Sequence, residues 1–539
     1  MRFSVVIAIL LFSRVLPAQS LAGVVTDTAT RRPIPGVVIS LLDSTGRVLG
    51  RLLTGEAGTY RVTNATAVRR LRAQRLGYRA REIQLAQGLE RLDIALLALP
   101  SLLEPVTVVS KSQCPRRDDT PRAFALLQQA RDGLLNAIVA RRMNPARIKL
   151  LNYQRSIDGD HVLAQSVRVD SQLAPTSYVA IRSGAQFVEQ GFVTSLRGQD
   201  DHYFGPDAET LLDDGFAEGY CFRLAEGDRA RPNQAGLAFS AAQRSRGRVD
   251  IDGTLWIDTL TRRLVDIDYR YVGLPPTAPV HPGGSIAFQE MPNGVMLTDH
   301  WAIRMPKQEV ASSGADRSVA TAWYSTFESG GVVARARWPE GTTWQSHLGR
   351  LSVNLVHHDG TPATGVHAQL LETDYSGKSD TAGIIVIGDL LPGPYELAVV
   401  DSILASLDIS AQKAMRFSVG PDSVVTRRLE ISDAADFTRD RCGKRESGPQ
   451  LKLLLGKVEA GDGTPVKGAT LEFMKNGPGK PFASFKTGTD GIFQLCVDNP
   501  GQVLPIVIWV KTPDGAKRTI AESLSDHLSS LLIKFDSPH

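Results

Sequence analysis

Cysteine occurs only four times in the 539 residues, aromatic side chains make up 6% of them, and no apolar run, the N-terminal one included, is long enough to span a bilayer. Lysine and arginine exceed the acidic residues by only four, so the chain lacks the basic excess of a nucleic-acid binder. Catalytic signatures are missing too. None of the ten histidines is followed by Glu three residues on, and His-Glu-x-x-His does not occur. A zinc peptidase needs such a pair to place a nitrogen and a carboxylate on one turn while leaving a coordination position for water. Gly-x-Ser-x-Gly, Walker A, Gly-x-Gly-x-x-Gly and Cys-x-x-Cys are likewise absent. No catalytic residue, metal ligand or cofactor site is therefore assigned.

What is present is a short block written three times. Residues 22–62, 351–397 and 451–495 each run from a β-rich stretch through a turn to Pro-x-x-Gly and then an alternating strand. The prolines are Pro33, Pro362 and Pro465, and the glycines Gly36, Gly365 and Gly468. Val37, Ile39 and Leu41 alternate with Val38 and Ser40, the period of a half-buried strand. These blocks resemble the carboxypeptidase regulatory-like domain, a seven-stranded transthyretin-like sandwich related to Cna B-type repeats. In the first copy the likeness extends through Leu71–Tyr78, LRAQRLGY. The resemblance implies a fold and a module that is a non-catalytic appendage in zinc carboxypeptidases.

The fold class expected is mainly β, with several transthyretin-like (prealbumin-like) sandwiches plus a helix-and-antiparallel-sheet middle domain. Residues 1–20 read as a signal peptide: Met1-Arg2, the apolar Val5–Phe12, and a small-residue cleavage site at Pro17-Ala18-Gln19-Ser20. Sandwiches are expected over 21–97, 346–431 (a divergent copy) and 450–539, with a connector at 98–117, the middle domain at 118–345 and a linker at 432–449. LLEPVTVVSK in the connector resembles the segment that follows this module in TonB-dependent receptors. The remaining length is too short for their 22-stranded barrel, so no pore is expected.

Within the middle domain, Asp118-Asp119-Thr120-Pro121 starts the one clear helix, 118–142, whose stripe is Phe124, Leu127, Ala130, Leu134, Leu135 and Ile138. From Ala146 to Pro306 the pattern is antiparallel β, TSYVAIRSG included, with hairpins turning at Thr259–Arg263 and Pro292-Asn293-Gly294. Gly283-Gly284 reads as a turn and 307–345 as a linker with strand character. The hairpin pattern resembles the large sheet of LolA/LolB-like lipoprotein carriers. It also resembles a group of exported bacterial proteins that share the N-terminal module and a Tyr-Cys-Phe-Arg motif, here Tyr220–Arg223. The aromatic residues Trp256, Tyr269, Tyr271, Phe288 and Trp301 are the candidate ligand-binding set, an aromatic floor competing with plain core packing.

Four cysteines allow three pairings; keeping each bridge within one domain favours Cys114–Cys221 and Cys442–Cys496. His357-His358-Asp359 reads as loop decoration. Arg69, Arg70, Arg72, Arg75, Arg79 and Arg81 read as a solubilising edge, the alternative being contact with an anionic surface such as outer-membrane lipid or another envelope protein. The function expected is a non-enzymatic, exported, multi-module binding or scaffold protein of the cell envelope, in the periplasm or at its outer-membrane surface. The alternative is a carrier or sensor of an apolar ligand in the middle sheet, and behind it a hydrolase with a carboxypeptidase-type appendage. Partners expected are another envelope protein, a lipid or a glycan, with no nucleic acid and no transmembrane segment once the leader is removed.

Overall fold

The computed structural model describes residues 20–535 apart from 64, 87, 104–113, 115–119, 144, 160, 174–177, 179, 195–200, 275–281, 312–320, 359, 401–412, 432–437, 440, 444–450, 476–478, 499–502 and 525–527. The leader, most of both connectors, and the Asp118-Asp119 cap lie outside these residues. The chain divides into two compact units, Met1–His161 with Arg168–Ser346, and Val162–Val167 with His347–His539.

All three copies of the block fold alike, the divergent one included. In the first, Leu21–Asp27 pairs antiparallel with Thr59–Val62 and parallel with Ile94–Leu96. The facing sheet runs Val48–Leu53, Val38–Leu42, Arg70–Gln74, Arg81–Gln84. In the second, Gly349–His357 lies between Ile384–Leu390 and Val424–Ile431. In the third, Leu451–Ala460 lies between Ile492–Asp498 and Leu528–Phe535. Each is a three-stranded sheet facing a four-stranded one, with the apolar face of both turned inward.

The Pro-x-x-Gly step is the corner that carries the chain between the sheets. Gly36, Gly365 and Gly468 have φ of 66°, 73° and 77°, a conformation that side chains other than glycine rarely adopt. A hydroxyl staples each corner. Thr54 Oγ1 accepts from Val37 N at 2.9 Å and donates to the Ile34 carbonyl at 2.8 Å. Ser379 Oγ does the same with Val366 N and Ala363 O, and Thr487 Oγ1 with Ala469 N and Val466 O.

The middle domain is a ten-stranded sheet. Its main path is Tyr220–Leu224, Gln234–Ala241, Asp250–Asp258, Arg263–Val272, Gly283–Glu290, Met296–Ala311, Thr321–Arg337, Arg147–Asp158 and His161–Leu173, with Thr343–Gln345 pairing beside Thr321–Arg337. Within 307–345, read as a linker with strand character, Thr321–Arg337 is a 17-residue strand in the interior of this sheet. Gly283-Gly284 is strand, not turn. A Cβ on Gly284 would come within 2.3 Å of the Tyr269 hydroxyl, so the missing side chain makes room for that ring.

The long helix spans Thr120–Met143, and three short ones were not foreseen: Gly184–Gln190, Ala208–Leu212 and Asp214–Gly219. The first two begin with capping boxes, at Ser183 and Asp207. Of TSYVAIRSG, the described residues Tyr178 and Ala180–Ser183 are not strand, and Gly184 begins the first of these helices. The disulfides are Cys114–Cys221 and Cys442–Cys496.

The staple generates a prediction. Thr487→Val leaves the Ala469 N–H and the Val466 carbonyl without their partner inside the last sandwich. The expected loss is on the order of 1–3 kcal/mol, read as a lower thermal transition for that module, whereas Thr487→Ser retains most of its stability.

Candidate functional site

The long helix is held between two sheets, and this settles which of its residues are buried. Ala123, Leu126, Ala130 and Leu134 join the core of the large sheet. Asp132, Asn136, Val139 and Ala140 are buried as well, while Phe124, Leu127, Leu135 and Ile138 from the expected stripe are only half-buried. Gly133 lets the helix approach Leu264, which a Cβ would meet at 2.8 Å.

On its other side the helix meets the first sandwich and the Pro292-Asn293-Gly294 hairpin turn. Gly36 and Gly294 cross in backbone contact: a Cβ on Gly36 would lie 2.0 Å from the Gly294 carbonyl oxygen. The Asn136 carboxamide, 7% exposed, joins the three parts. Its Nδ2 donates to Gly36 O at 2.6 Å and to Gly294 O at 3.0 Å, and its Oδ1 accepts from Met296 N at 2.8 Å.

Around this crossing lies a crevice of about 20 Å³, room for about one water molecule, lined by Asp132, Asn136, Arg75, Arg262 and Glu290. Its polar side chains are hydrogen-bonded, Arg262 to the Gly77 carbonyl. Arg75 and Arg263 hold Glu290 at 2.8 and 3.0 Å, and Gln74 donates to Asp132 at 2.8 Å. Burial pushes the Asp132 carboxyl up to about 6, against the opposing pull of Arg72. Of the arginine-rich region, Arg75 is thus a joint between sandwich and sheet, and Arg70 pairs with Glu82 on the neighbouring strand.

The five aromatic candidates do not share one face. Ile251, Leu255, Ile267, Tyr269, Tyr271, Ile286 and Phe288 point toward the helices, and Trp301 packs against the same core. Trp256 lies on the opposite face, paired in register with Asp266 and stacked under the Arg231 guanidinium at 4.9 Å. The floor formed by the other four is roofed. Phe187, Phe192 and Phe216, all fully buried, pack on it together with the long helix. Tyr271 Oη donates to Phe204 O at 2.8 Å, and the Tyr178 ring lies 4.8 Å from that of Trp301. Burial raises the Tyr269 and Tyr271 phenols well above their ordinary value.

The opposite face carries a polar cluster that the sequence reading did not single out. Glu328, 3% exposed, accepts from Arg304 Nε at 2.7 Å, with Arg155 3.7 Å away. Arg155 stacks over Tyr153 at 4.1 Å, and the Tyr153 hydroxyl lies 3.2 Å from His300 Nε2. Burial raises the Tyr153 phenol, helped by the Glu328 charge, and lowers His300. Asp299 sits at the irregularity in pairing between Ala287 and Phe288, and burial pushes its carboxyl up to about 6. The only sequence trace of this cluster is Gly330-Gly331, which leave room for Tyr153 and Trp301 respectively. Among the described residues, no three His, Cys, Asp or Glu side chains converge to hold a metal ion. His358 Nδ1 meets Glu430 at 2.5 Å on an exposed edge, and Asp359 lies outside the described residues.

Residues 20–97 match the family model of the carboxypeptidase regulatory-like domain, so the first sandwich is such a domain. No curated protein matches the chain. Among solved structures, the Bacillus anthracis TIE protein is 10% identical, over 72% of this chain and 82% of its own, with a TM-score of 0.16. GBS52, the minor pilin of Streptococcus agalactiae, is 12% identical over 35% of this chain and 94% of its own, at 0.15. The dioxygenase domain of a Streptomyces sp. SirexAA-E fusion protein is 17% identical over 16% and 80%, at 0.14. At such TM-scores the likenesses carry no argument about function.

Two predictions follow from the crossing. Asn136→Ala leaves two buried carbonyls and an amide unpaired, and is expected to cost on the order of 3 kcal/mol or more in thermal or urea unfolding of the N-terminal unit. Asp132 is neutral in both folded and unfolded states below about pH 4. Above that the unfolded state loses its proton first, so stability falls as pH rises from about 4 to 6. Asp132→Asn, which keeps an acceptor for Gln74, should therefore match the parent chain at pH 4 and exceed it above pH 6 by on the order of 1–3 kcal/mol.

Proposed function

We propose that this is an exported, non-enzymatic, multi-module binding or scaffold protein of the bacterial cell envelope, in the periplasm or at its outer-membrane surface. The observation that carries the reading is the threefold use of one self-contained sandwich, each copy closed by its own glycine corner and hydroxyl staple. Such modules space and present surfaces. The two disulfides support an oxidising compartment, as does the apolar leader at Val5–Phe12. The partner in this reading is another envelope protein, or a lipid or glycan of that compartment, and no cofactor is required.

Within this proposal Tyr269, Tyr271, Phe288 and Trp301 serve as the bed on which the helices rest. A carrier role for that floor would require Phe187, Phe192 and Phe216 to lift away from it. Native mass spectrometry of the chain, exported and purified without reduction, tests the choice. The expected mass is that of the protein alone, lowered by about two hydrogens per disulfide. A stoichiometric co-purifying lipid, lost on Phe288→Asp substitution, would instead assign the middle sheet to transport.

A further inference from the structure

The outer face of the four-stranded sheet differs between the first and last copies in a way that the fold does not require. In the first, Leu53, Val38 and Gln74 stand side by side across three strands. Leu53 packs beside Ala140 of the long helix, and Gln74 donates to the Asp132 carboxylate of that helix. The matching row in the last copy reads Lys486, Thr470 and Lys511, and Lys517 extends it on the fourth strand directly opposite Lys511. Trp509, 42% exposed, stands on the same face two residues before Lys511.

Like charges set directly opposite each other cost stability, and among the described residues none of these lysines has an ion-pair partner. Lysines on edge strands guard against stray strand pairing. That accounts for Lys486 and Lys517, but Lys511 lies on an interior strand. The neighbouring row on the face holds a single carboxylate, Glu472, paired in register with Trp509. An exposed tryptophan beside a lysine row suits a ligand with an apolar stripe flanked by carboxylates.

We propose that this face docks an acidic amphipathic helix of a partner protein, with Trp509 against its apolar stripe and Lys486, Lys511 and Lys517 against its carboxylates. A helix is favoured as occupant because the same face of the first copy already carries one, whose Asp132 meets Gln74, the residue matching Lys511. The proposal rests on the binding reading above and names the surface it would use.

The test is calorimetric titration of the full chain with a synthetic amphipathic peptide bearing one leucine face flanked by glutamates. A leucine–lysine counterpart, heparin and phosphatidylglycerol vesicles serve as the other arms. The glutamate peptide should bind, its affinity should fall with added salt, and the lysine peptide should not bind. Lys511→Glu combined with Lys517→Glu, and separately Trp509→Ala, should each weaken binding by about tenfold. The milder Lys511→Gln, made at an exposed position, should give a smaller loss with an unchanged melting curve. Failure of the glutamate peptide to bind, or equal binding by all variants, overturns the proposal. Binding of heparin or vesicles alone would overturn it too, assigning the face to a glycan or a lipid surface. If the charge-reversed chain still crosslinks to the same envelope protein as the parent, this face is excluded while the scaffold reading stands.

Discussion

The Asn136 carboxamide is the point through which the N-terminal unit is tied together. Two glycines with left-handed backbones, Gly36 at the sandwich corner and Gly294 at the hairpin turn, meet so closely that neither has room for a side chain. Their carbonyls are shut off from water, and buried carbonyls need donors. Asn136 supplies both donors from one side chain and uses its oxygen on the Met296 amide. A leucine there would fill the space and leave three buried polar groups unpaired. The crossing thus explains why a polar residue stands on a buried helix face, and why the sandwich corner, helix and hairpin hold one register.

That arrangement sets the character of the helix. Packed between two sheets, it has two buried sides instead of one, and a single apolar stripe cannot describe it. Periodicity picked out Ala130 and Leu134 correctly but assigned Phe124, Leu135 and Ile138 to a seam that is only half-buried. Asp132 and Asn136 did not stand out, because nothing local distinguishes an asparagine that bonds water from one that bonds two distant carbonyls. The partners that bury Asn136 are Gly36 and Gly294, 100 and 158 residues away in sequence, and that of Asp132 is Gln74, 58 away.

The sandwiches were far more legible, since their signal is local and repeated. Pro-x-x-Gly followed by an alternating strand identifies the corner, and the divergent copy adopts the same strand order as the others. The stapling hydroxyls Thr54, Ser379 and Thr487 escaped notice because serine and threonine are common and the partners lie 13 to 21 residues away. In the middle sheet, alternation correctly separated Trp256 from Leu255 and Ile257. It could not say which side the helices would cover, and the aromatic set was therefore assembled across both faces. Gly283-Gly284 misled for a related reason: a glycine pair marks a turn only when no ring from a neighbouring strand needs the space.

A module closed by internal contacts leaves its outer surfaces free to diverge. The hydroxyl staple of each sandwich bonds only within that copy, so it does not depend on what covers the outside. The first copy uses its outer four-stranded face to seat a helix, with Val38 fully buried there. At the equivalent position the last copy has Thr470, between two lysines. The same division holds in the large sheet. The helix-covered face is apolar and continuous, while the other gathers Glu328, Arg155, Arg304 and Tyr153 into a network in which each charge has a partner. A ten-stranded sheet apolar on both sides and covered by helices on one would expose a large patch on its second face. Pairing arginines with carboxylates and laying them across tyrosine and tryptophan rings covers that face with the stems of polar side chains. The charged face thus keeps the uncovered side of the sheet from presenting an apolar patch, while the aromatic face supplies the core.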